Sequence, residues 1–253
     1  MSAVKAAPFD PGALAARFES AGAKAGFRLE AFGAVGGCPL IALTKRTPGP
    51  RPRIYLSSGI HGDEPAPPLA LLSLIDSGAL DTRAVWFVVP LLNPDGLSRG
   101  TRENASGTDL NRDFRHLVSP EIRAHVGWLR RQPNFDLAIC VHEDWESKGF
   151  YLYELNPDGR PSLAEPMVAA ASRVCPIDRS PLIEGREAKG GIIRSPLDPP
   201  SREKWPESIY LQVNHTRLSY TIETPSSLPI EKRVETLRAV LGRAIELAVQ
   251  TRR

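Results

Sequence analysis

The sequence predicts an α/β fold, with a single-domain, mixed, mostly parallel sheet flanked by helices. Three observations predict it. Short β-rich runs alternate with helical segments, which is typical of βαβ units. No internal repeat or long linker divides residues 1–253. The content of 42% hydrophobic and 24% charged residues is typical of a globular domain. We therefore expect one domain built around one sheet.

The first half of the chain contains a hairpin pattern followed by a βαβ pattern. Residues 26–32 alternate in polarity, and the apolar run 40–43 follows a Gly-Gly turn, so the two predict an antiparallel hairpin. The β-rich runs 53–56 and 85–92 enclose a helical segment at 65–75. This order favours two neighbouring parallel strands.

The second half continues the alternation. Ser119, Pro120 and an acidic first turn predict the start of a helix. A stretch rich in Pro, Gly and charge at 181–206 has little periodicity and predicts a long functional loop. The remaining predictions are helices at 119–131, 166–174 and 229–250, and strands at 136–141, 149–155 and 218–222.

Charge and cysteine usage exclude several classes of partner. The net charge is +3 with scattered basic residues, so we expect neither nucleic acid nor a membrane surface as a partner. No apolar run reaches the roughly 18 residues of a membrane span. Cys38, Cys140 and Cys175 are widely spaced, and the N-terminus lacks a secretory pattern, so we expect reduced thiols and a cytoplasmic location. Nothing in the pattern indicates an oligomeric state.

Side chains that can bind a metal follow three of the predicted strands. His61 and Glu64 follow the first, His142 the second and Glu223 the third. Ligands of open α/β sheets bind outside the carboxyl ends of the strands, so we expect these four residues to converge. Two imidazoles and a carboxylate suit zinc, and a further carboxylate could take a proton from water. A lone HxxE or a lone strand-end histidine also has structural explanations, so the prediction depends on the combination.

The segment between the two histidines contains the most specific motif. It reads NPDG at 93–96 and then RENASGTDLNRDF at 102–114. With the HxxE before it and the two strand-end residues after it, this order resembles the M14 zinc carboxypeptidases over residues 53–225. HxxE or NPDG alone is a weak signal, whereas DLNRDF after NPDG at this distance is a strong one.

The resemblance implies a carboxypeptidase-like fold with one Zn²⁺ per chain. It implies that His61, Glu64 and His142 hold the zinc and that Glu223 is the general base. The implied activity is that of a zinc metallocarboxypeptidase or peptide amidase, which hydrolyses a C-terminal peptide or amide bond with a water activated by zinc and glutamate.

The same resemblance implies roles around the substrate. Arg102 would stabilise the oxyanion, Asn111 and Arg112 would hold the terminal carboxylate, and Asp109 would orient the first zinc histidine. A guanidinium suits such roles because it binds a carboxylate through two parallel hydrogen bonds. As alternatives, the two arginines are surface charges and Asp109 caps a loop.

A family tyrosine that closes over the substrate has no clear counterpart in this chain. Tyr210 is the predicted equivalent, with Trp205 as the alternative. The residues that would select the terminal side chain lie in the same region, so the specificity is not predicted. By size and compartment, the chain resembles compact amidases that trim cell-wall peptides, which implies a small peptide or a peptidoglycan-derived peptide as substrate.

Two other functions share parts of this pattern. An N-acyl amino acid deacylase of the aspartoacylase or succinylglutamate desuccinylase type has a similar HxxE, strand-end histidine and carboxylate clamp. DLNRDF and NPDG favour the carboxypeptidase. A non-catalytic binding module would keep the fold and the clamp, but the presence of Glu223 together with all three ligands argues against it.

Overall fold

The structure, a computed structural model, describes residues 9–194 and 201–250. In these ranges the strands are β1 (Arg28–Val35), β2 (Cys38–Lys45), β3 (Arg53–Ser57), β4 (Val85–Val89), β5 (Leu137–Asp144), β6 (Tyr151–Leu155), β7 (Leu182–Ile183), β8 (Arg186–Lys189), β9 (Ile192–Ile193) and β10 (Ser219–Pro225). The α-helices are α1 (Pro11–Lys24), α2 (Ala66–Asp76), α3 (Pro94–Arg99), α4 (Pro120–Leu129), α5 (Ala164–Ala171), α6 (Glu207–Asn214) and α7 (Ile230–Gln250). A 3-10 turn covers Leu110–Arg112.

These strands form one mixed sheet in the order β1-β2-β4-β3-β5-β10-β6-β9-β8-β7. The four central strands β4, β3, β5 and β10 run parallel to one another. On one side β2 pairs antiparallel with β4 and β1, and on the other β6 pairs antiparallel with β10. The predicted mixed sheet flanked by helices is confirmed. Its parallel part is the centre and the short β6–β9 pair, while antiparallel pairs lie at both edges.

Helices cover both faces of the sheet. Side chains such as Leu56 pack against α1, α2, α5 and α7 on one face, whereas Tyr55 and Cys140 pack against α4 and α6 on the other. Successive side chains of a strand point to opposite faces. His142, two residues after Cys140, therefore belongs to the α4 and α6 face, and Glu143 belongs to the α2 and α7 face.

Most of the predicted elements are confirmed. The hairpin is β1–β2, the βαβ unit is β3–α2–β4, and the later strands and the C-terminal helix lie where they were expected. The capping prediction for α4 differs in detail. The Ser119 side chain does not cap the helix but donates to Asp113, whose carboxylate also accepts the Val118 and Ser119 backbone N–H groups.

Three helices and three short strands were not predicted from the sequence. Helix α1 begins at Asp10, which accepts from the Ala13 backbone nitrogen at 3.0 Å, and α3 forms within the NPDG segment. The prediction of an irregular loop at 181–206 is wrong in part, because β7, β8 and β9 form within it; its residues 195–200 lie outside the described ranges. No helix of the described residues is both long and apolar enough to cross a membrane.

Two glycines allow the turn after β3 to approach its neighbours closely. Gly59 has a positive φ of 65°, and a Cβ there would lie 2.8 Å from Leu91 Cδ1. A Cβ on Gly62 would lie 1.9 Å from the Gly96 carbonyl carbon and 2.2 Å from the Leu97 nitrogen. The backbone between His61 and Glu64 therefore lies directly against α3.

We expect Gly62→Ala to destabilise the protein by about 1–3 kcal/mol, because the added methyl group overlaps backbone atoms that no side-chain rotation can move. Chemical denaturation would measure the change. Gly127→Ala is the matched control, since it lies in α4 with no neighbour within 4 Å. It should be neutral or stabilise by about 0.5–1 kcal/mol. Equal midpoints for Gly62→Ala and the wild type would contradict the close approach.

Candidate metal centre

The structure brings His61, Glu64 and His142 together at the carboxyl ends of β3 and β5. Nδ1 of His61 lies 2.6 Å from Glu64 Oε1, and Nδ1 of His142 lies 3.0 Å from Glu64 Oε2. All three side chains are buried, and one potential ligand atom of each lies within 4.8 Å of the others. They form a cluster that could share one metal ion.

The charges of the cluster stabilise one another. Burial alone would lower the pKa of His61, but the Glu64 and Asp109 carboxylates raise it to about 9. The pKa of His142 is raised for the same reason, by Glu64 against the effect of burial. Burial would raise the pKa of Glu64, yet the two histidines hold it well below its usual range. The carboxylates therefore outweigh the effect of burial at both histidines, and a bound divalent cation would take the place of the protons on the two rings.

Asp109 connects this cluster to its surroundings. Its Oδ1 lies 3.3 Å from His61 Nε2 and accepts from the Asn111 backbone nitrogen at 2.9 Å, while its Oδ2 accepts from Arg102 Nε at 3.1 Å. A metal-binding histidine commonly donates its second N–H to such a carboxylate, which fixes the ring and leaves the other nitrogen for the metal. His61 Nδ1 is that other nitrogen.

Glu223 lies beside His142 on the same face of the sheet. The two residues are register partners on the parallel strands β10 and β5, and Tyr151 of β6 is the antiparallel partner of Glu223. Burial raises the pKa of Glu223 well above its ordinary value, and nearby carboxylates such as Glu64 and Asp144 add to the effect against the opposing charge of His142. The residue is thus placed next to the cluster and binds a proton readily.

Arg102 points its guanidinium toward the cluster. Its Nη1 lies 3.3 Å from His61 Nδ1 and 3.8 Å from Glu64 Oε1. Buried Asn93 helps to place it, because its Nδ2 donates to the Arg102 carbonyl at 3.1 Å and its Oδ1 accepts from the Gly96 nitrogen at the start of α3. The NPDG segment therefore positions the loop that carries Arg102.

Asn111 and Arg112 lie in the 3-10 turn that Asp109 caps. Asn111 is buried, and its Oδ1 accepts from the Glu207 backbone nitrogen at 2.9 Å. Arg112 is exposed, and its Nη1 donates to the Asn111 carbonyl at 2.8 Å. The turn thus presents one exposed guanidinium close to the cluster.

Sequence reasoning missed Glu207, the first residue of α6. Its side chain is buried and accepts from the Tyr55 hydroxyl at 2.6 Å and from the Ser57 hydroxyl at 2.8 Å. His125 lies 2.9 Å from the same tyrosine hydroxyl, and burial lowers its pKa to about 3. One sequence signal could have indicated this burial: Glu207 lies four residues before Leu211, on a face of α6 that is otherwise apolar.

The sequence also left the role of Glu143 open. Its Oε1 accepts from the Ala66 nitrogen of α2 at 2.6 Å, its Oε2 accepts from Arg233 of α7, and its own backbone nitrogen donates to Glu64 Oε2 at 3.1 Å. Burial raises its pKa to about 7, against the charge of Arg233. The residue ties two helices of the opposite face to the cluster.

Tyr210 does not lie where a closing tyrosine would have to be. It faces the core on α6, and its ring packs against Phe114 at 5.7 Å and His215 at 5.9 Å between centroids. A ring held on two sides in the core is not free to close over a substrate, so we do not assign that role to Tyr210. The alternative, Trp205, is partly exposed and lies against Arg115.

The donor set fits a zinc ion. Zinc binds imidazole nitrogen and carboxylate oxygen, and catalytic sites combine three such protein ligands with an open position. His61 and His142 each offer Nδ1, and Glu64 offers a carboxylate between them. The hydrogen bond between His61 Nε2 and Asp109 fixes the orientation that this binding requires.

Comparison with known proteins gives two sequence matches. The model of the succinylglutamate desuccinylase/aspartoacylase catalytic domain matches residues 50–124, which include His61, Glu64 and Arg102. Carboxypeptidase SOL1 of Arabidopsis thaliana is 36% identical over 130 residues, which cover 41% of this chain. The match spans about a quarter, 26%, of that protein.

Solved structures share the fold over nearly the whole chain. A candidate metallopeptidase from Shewanella amazonensis SB2B has a TM-score of 0.82 at 23% identity, covering 92% of this chain and 91% of that one. A metallo-carboxypeptidase from Burkholderia cenocepacia has a TM-score of 0.68 at 21% identity, covering 96% and 70%. The predicted resemblance to the metallocarboxypeptidases is confirmed. These likenesses show the fold, and within it the His-Glu-His cluster is a group that could hold a metal ion.

Removing one histidine of the cluster should remove the metal. We expect mass spectrometry of protein purified without added metal to find about one divalent ion per chain in the wild type and almost none in His142→Ala. His116→Ala is the control, because His116 is exposed and its Nε2 contacts the Glu203 carbonyl away from the cluster. Absence of metal from the wild type, even after zinc is supplied, would contradict the assignment.

Asp109→Asn should weaken metal binding about 10- to 100-fold, because the variant loses the negative charge that accepts from His61. Competition with a chromogenic chelator would measure the affinity. Asp95→Asn is the matched control, since it removes a carboxylate that pairs with Arg99 on the surface of α3. An unchanged affinity in Asp109→Asn would show that this carboxylate does not support the metal ligand.

Proposed function

We propose that this protein is a zinc-dependent metallocarboxypeptidase or peptide amidase that hydrolyses a C-terminal peptide or amide bond. One observation carries the proposal: the Asp109 carboxylate joins a metal-ligand candidate, a guanidinium and the substrate clamp in a single group of hydrogen bonds. Glu223, next to His142 on β10, supplies the remaining group that hydrolysis requires.

Zinc is the metal that we propose because two imidazoles and one carboxylate favour it over harder cations. His61, Glu64 and His142 would hold it, and the bound ion would supply a Lewis acid that lowers the pKa of water. A positive charge at this position would also lower the raised pKa of Glu223, so that its carboxylate would be free to accept a proton.

Glu223 is the proton carrier of the proposed reaction. It takes a proton from the attacking water while the water oxygen forms a bond to the carbonyl carbon of the substrate. The carbon–nitrogen bond then breaks, and the same carboxyl returns the proton to the leaving amine. Its place beside His142 puts it within the ligand cluster that the carbonyl would approach.

Arg102 stabilises the negative charge that develops on the carbonyl oxygen. Its Nε is fixed by Asp109, so that Nη1 remains directed at the ligand cluster. A cation already in place needs no reorganisation during the reaction, and loss of such a donor typically costs about 100- to 1000-fold in rate.

Asn111 and Arg112 bind the terminal carboxylate of the substrate. The exposed guanidinium of Arg112 supplies paired donors, and the backbone and Oδ1 of Asn111 are fixed by Asp109 and by the backbone of Glu207. We propose a small peptide or a peptidoglycan-derived peptide as the substrate, because such a clamp selects chain ends over internal bonds.

A second candidate function is deacylation of an N-acylated amino acid. The match of residues 50–124 to the succinylglutamate desuccinylase/aspartoacylase catalytic domain favours it, whereas the match to carboxypeptidase SOL1 favours the peptidase. Both reactions would use the same residues. Parallel assays with N-succinyl and N-acetyl amino acids and with a panel of short peptides separate them, because only one class should be turned over efficiently.

Glu223→Gln should lower kcat by at least about 100-fold while the metal content stays at the wild-type level, because the amide keeps the shape of the side chain but cannot accept the proton. Peptide hydrolysis and metal analysis on the same preparation would test this. Glu246→Gln, which alters an exposed pair with Arg243 on α7, serves as the control. Near-normal activity of Glu223→Gln would show that the proton goes elsewhere.

A further inference from the structure

Three arginines near the candidate centre have no carboxylate partner in the described part of the chain. Arg112 lies in the 3-10 turn, Arg186 on β8, and Arg202 in the segment that leads to α6. Within residues 9–194 and 201–250 none of them forms an ion pair, in contrast to Arg102 and Arg194, which bind Asp109 and Glu154. Glu184, close to Arg186 in the chain, accepts instead from the Tyr153 hydroxyl at 2.5 Å.

The backbone brings Arg202 next to the turn that carries Arg112. The Phe114 nitrogen donates to the Trp205 carbonyl at 3.2 Å, and Arg115 donates to the Arg202 carbonyl. The Arg115 guanidinium also lies 5.8 Å from the centre of the Trp205 ring. The segment 202–205 is therefore laid along residues 113–115, immediately after Arg112.

Arg186 approaches the same region from the edge of the sheet formed by β6, β9 and β8. Strand β8 pairs with β9, and β9 pairs with β6, where Tyr153 is the register partner of Ile193. Tyr153 is within range of the charges of Arg186 and Glu223, both of which affect its pKa. Arg186 thus lies on the side of the centre that carries Glu223.

The Arg202 guanidinium lies within electrostatic range of both Arg186 and Arg112. Burial lowers the pKa of Arg202, and the charges of Arg186 and Arg112 lower it further. Like charges without counter-ions are unfavourable, and an anion between them would relieve the repulsion through charge-assisted hydrogen bonds. One terminal carboxylate uses Arg112, so two guanidinium groups remain for a second negative charge.

We propose that Arg186 and Arg202 form an acidic-side-chain subsite beside Arg112, so that the protein prefers substrates whose terminal residue carries a second carboxylate. The inference rests on the proposed function for its orientation, since it takes Arg112 as the clamp for the first carboxylate. It names the substrate class as peptides whose terminal residue is dicarboxylic.

The test compares two peptides that differ only in the terminal residue, glutamate or glutamine. The two side chains have nearly the same shape, so the ratio of their kcat/KM values reports the charge. In the wild type we expect glutamate to be preferred by about 10- to 100-fold, and in the double variant Arg186→Gln with Arg202→Gln we expect the ratio to approach one. Arg173→Gln, an exposed arginine that follows α5, should leave the ratio unchanged.

Charge reversal gives a sharper result. Arg202→Glu should lower kcat/KM for the glutamate peptide more than for the glutamine peptide and should improve hydrolysis of a peptide that ends in lysine. Thermal unfolding of each variant would check that the fold is retained. A wild type that cleaves the two peptides equally would overturn the subsite and leave the proposed function in place.

A binding measurement covers the case in which no substrate is turned over. Calorimetry with N-acetylglutamate and N-acetylglutamine requires no catalysis, and the wild type should bind the first at least about tenfold more tightly. The double variant should lose this difference. Equal affinities in the wild type would overturn the subsite, whereas a clear difference without hydrolysis of any substrate would support it and overturn the proposed function.

Discussion

The carboxylate of Asp109 is the group on which the candidate centre depends. One oxygen lies by the His61 ring and accepts from the Asn111 backbone, and the other accepts from Arg102. The His61 ring, the Arg102 guanidinium and the turn at Asn111 are therefore held at separations that one planar group determines. His61 lies 41 residues before Arg102, so no local preference could keep its position relative to the other residues.

Because Glu64 is buried, each oxygen of its carboxylate needs a partner. A buried carboxylate is costly unless each oxygen has a partner. Both oxygens of Glu64 have one: Oε1 contacts His61, and Oε2 contacts His142 and the Glu143 backbone nitrogen. The Glu143 side chain in turn accepts hydrogen bonds from Arg233 and from the backbone at the start of α2, on the opposite face. Helices α2 and α7 of that layer are thus coupled to the cluster, and loosening either helix would disturb it.

The sequence was sufficient to predict that His61, Glu64 and His142 come together, because each lies near the carboxyl end of β3 or β5 and the ends of parallel strands converge. It could not predict the roles of residues on α6. Glu207 and Tyr210 lie three positions apart on that helix, and both are buried on the α4 and α6 face. From the sequence alone, Glu207 would be predicted to lie on the surface and Tyr210 to be available to a substrate. Their burial becomes visible only when the sheet face that covers them is known. Burial of this kind is set by contacts between distant segments, which a local pattern does not contain.

The centre has two parts that are held by different kinds of structure. The cluster residues come from the turn after β3 and from the end of β5, and in that turn Gly59 and Gly62 let backbone approach backbone, so there is no room for a larger side chain. The residues that would meet the substrate, Arg112, Arg186 and Arg202, come from a turn, a short peripheral strand and an irregular segment. Altering these residues changes little of the packed core. Selectivity for a substrate could therefore vary while the geometry of the cluster stays constant. For this reason the motifs around His61 and Asp109 indicate the chemistry more clearly than any motif indicates the substrate.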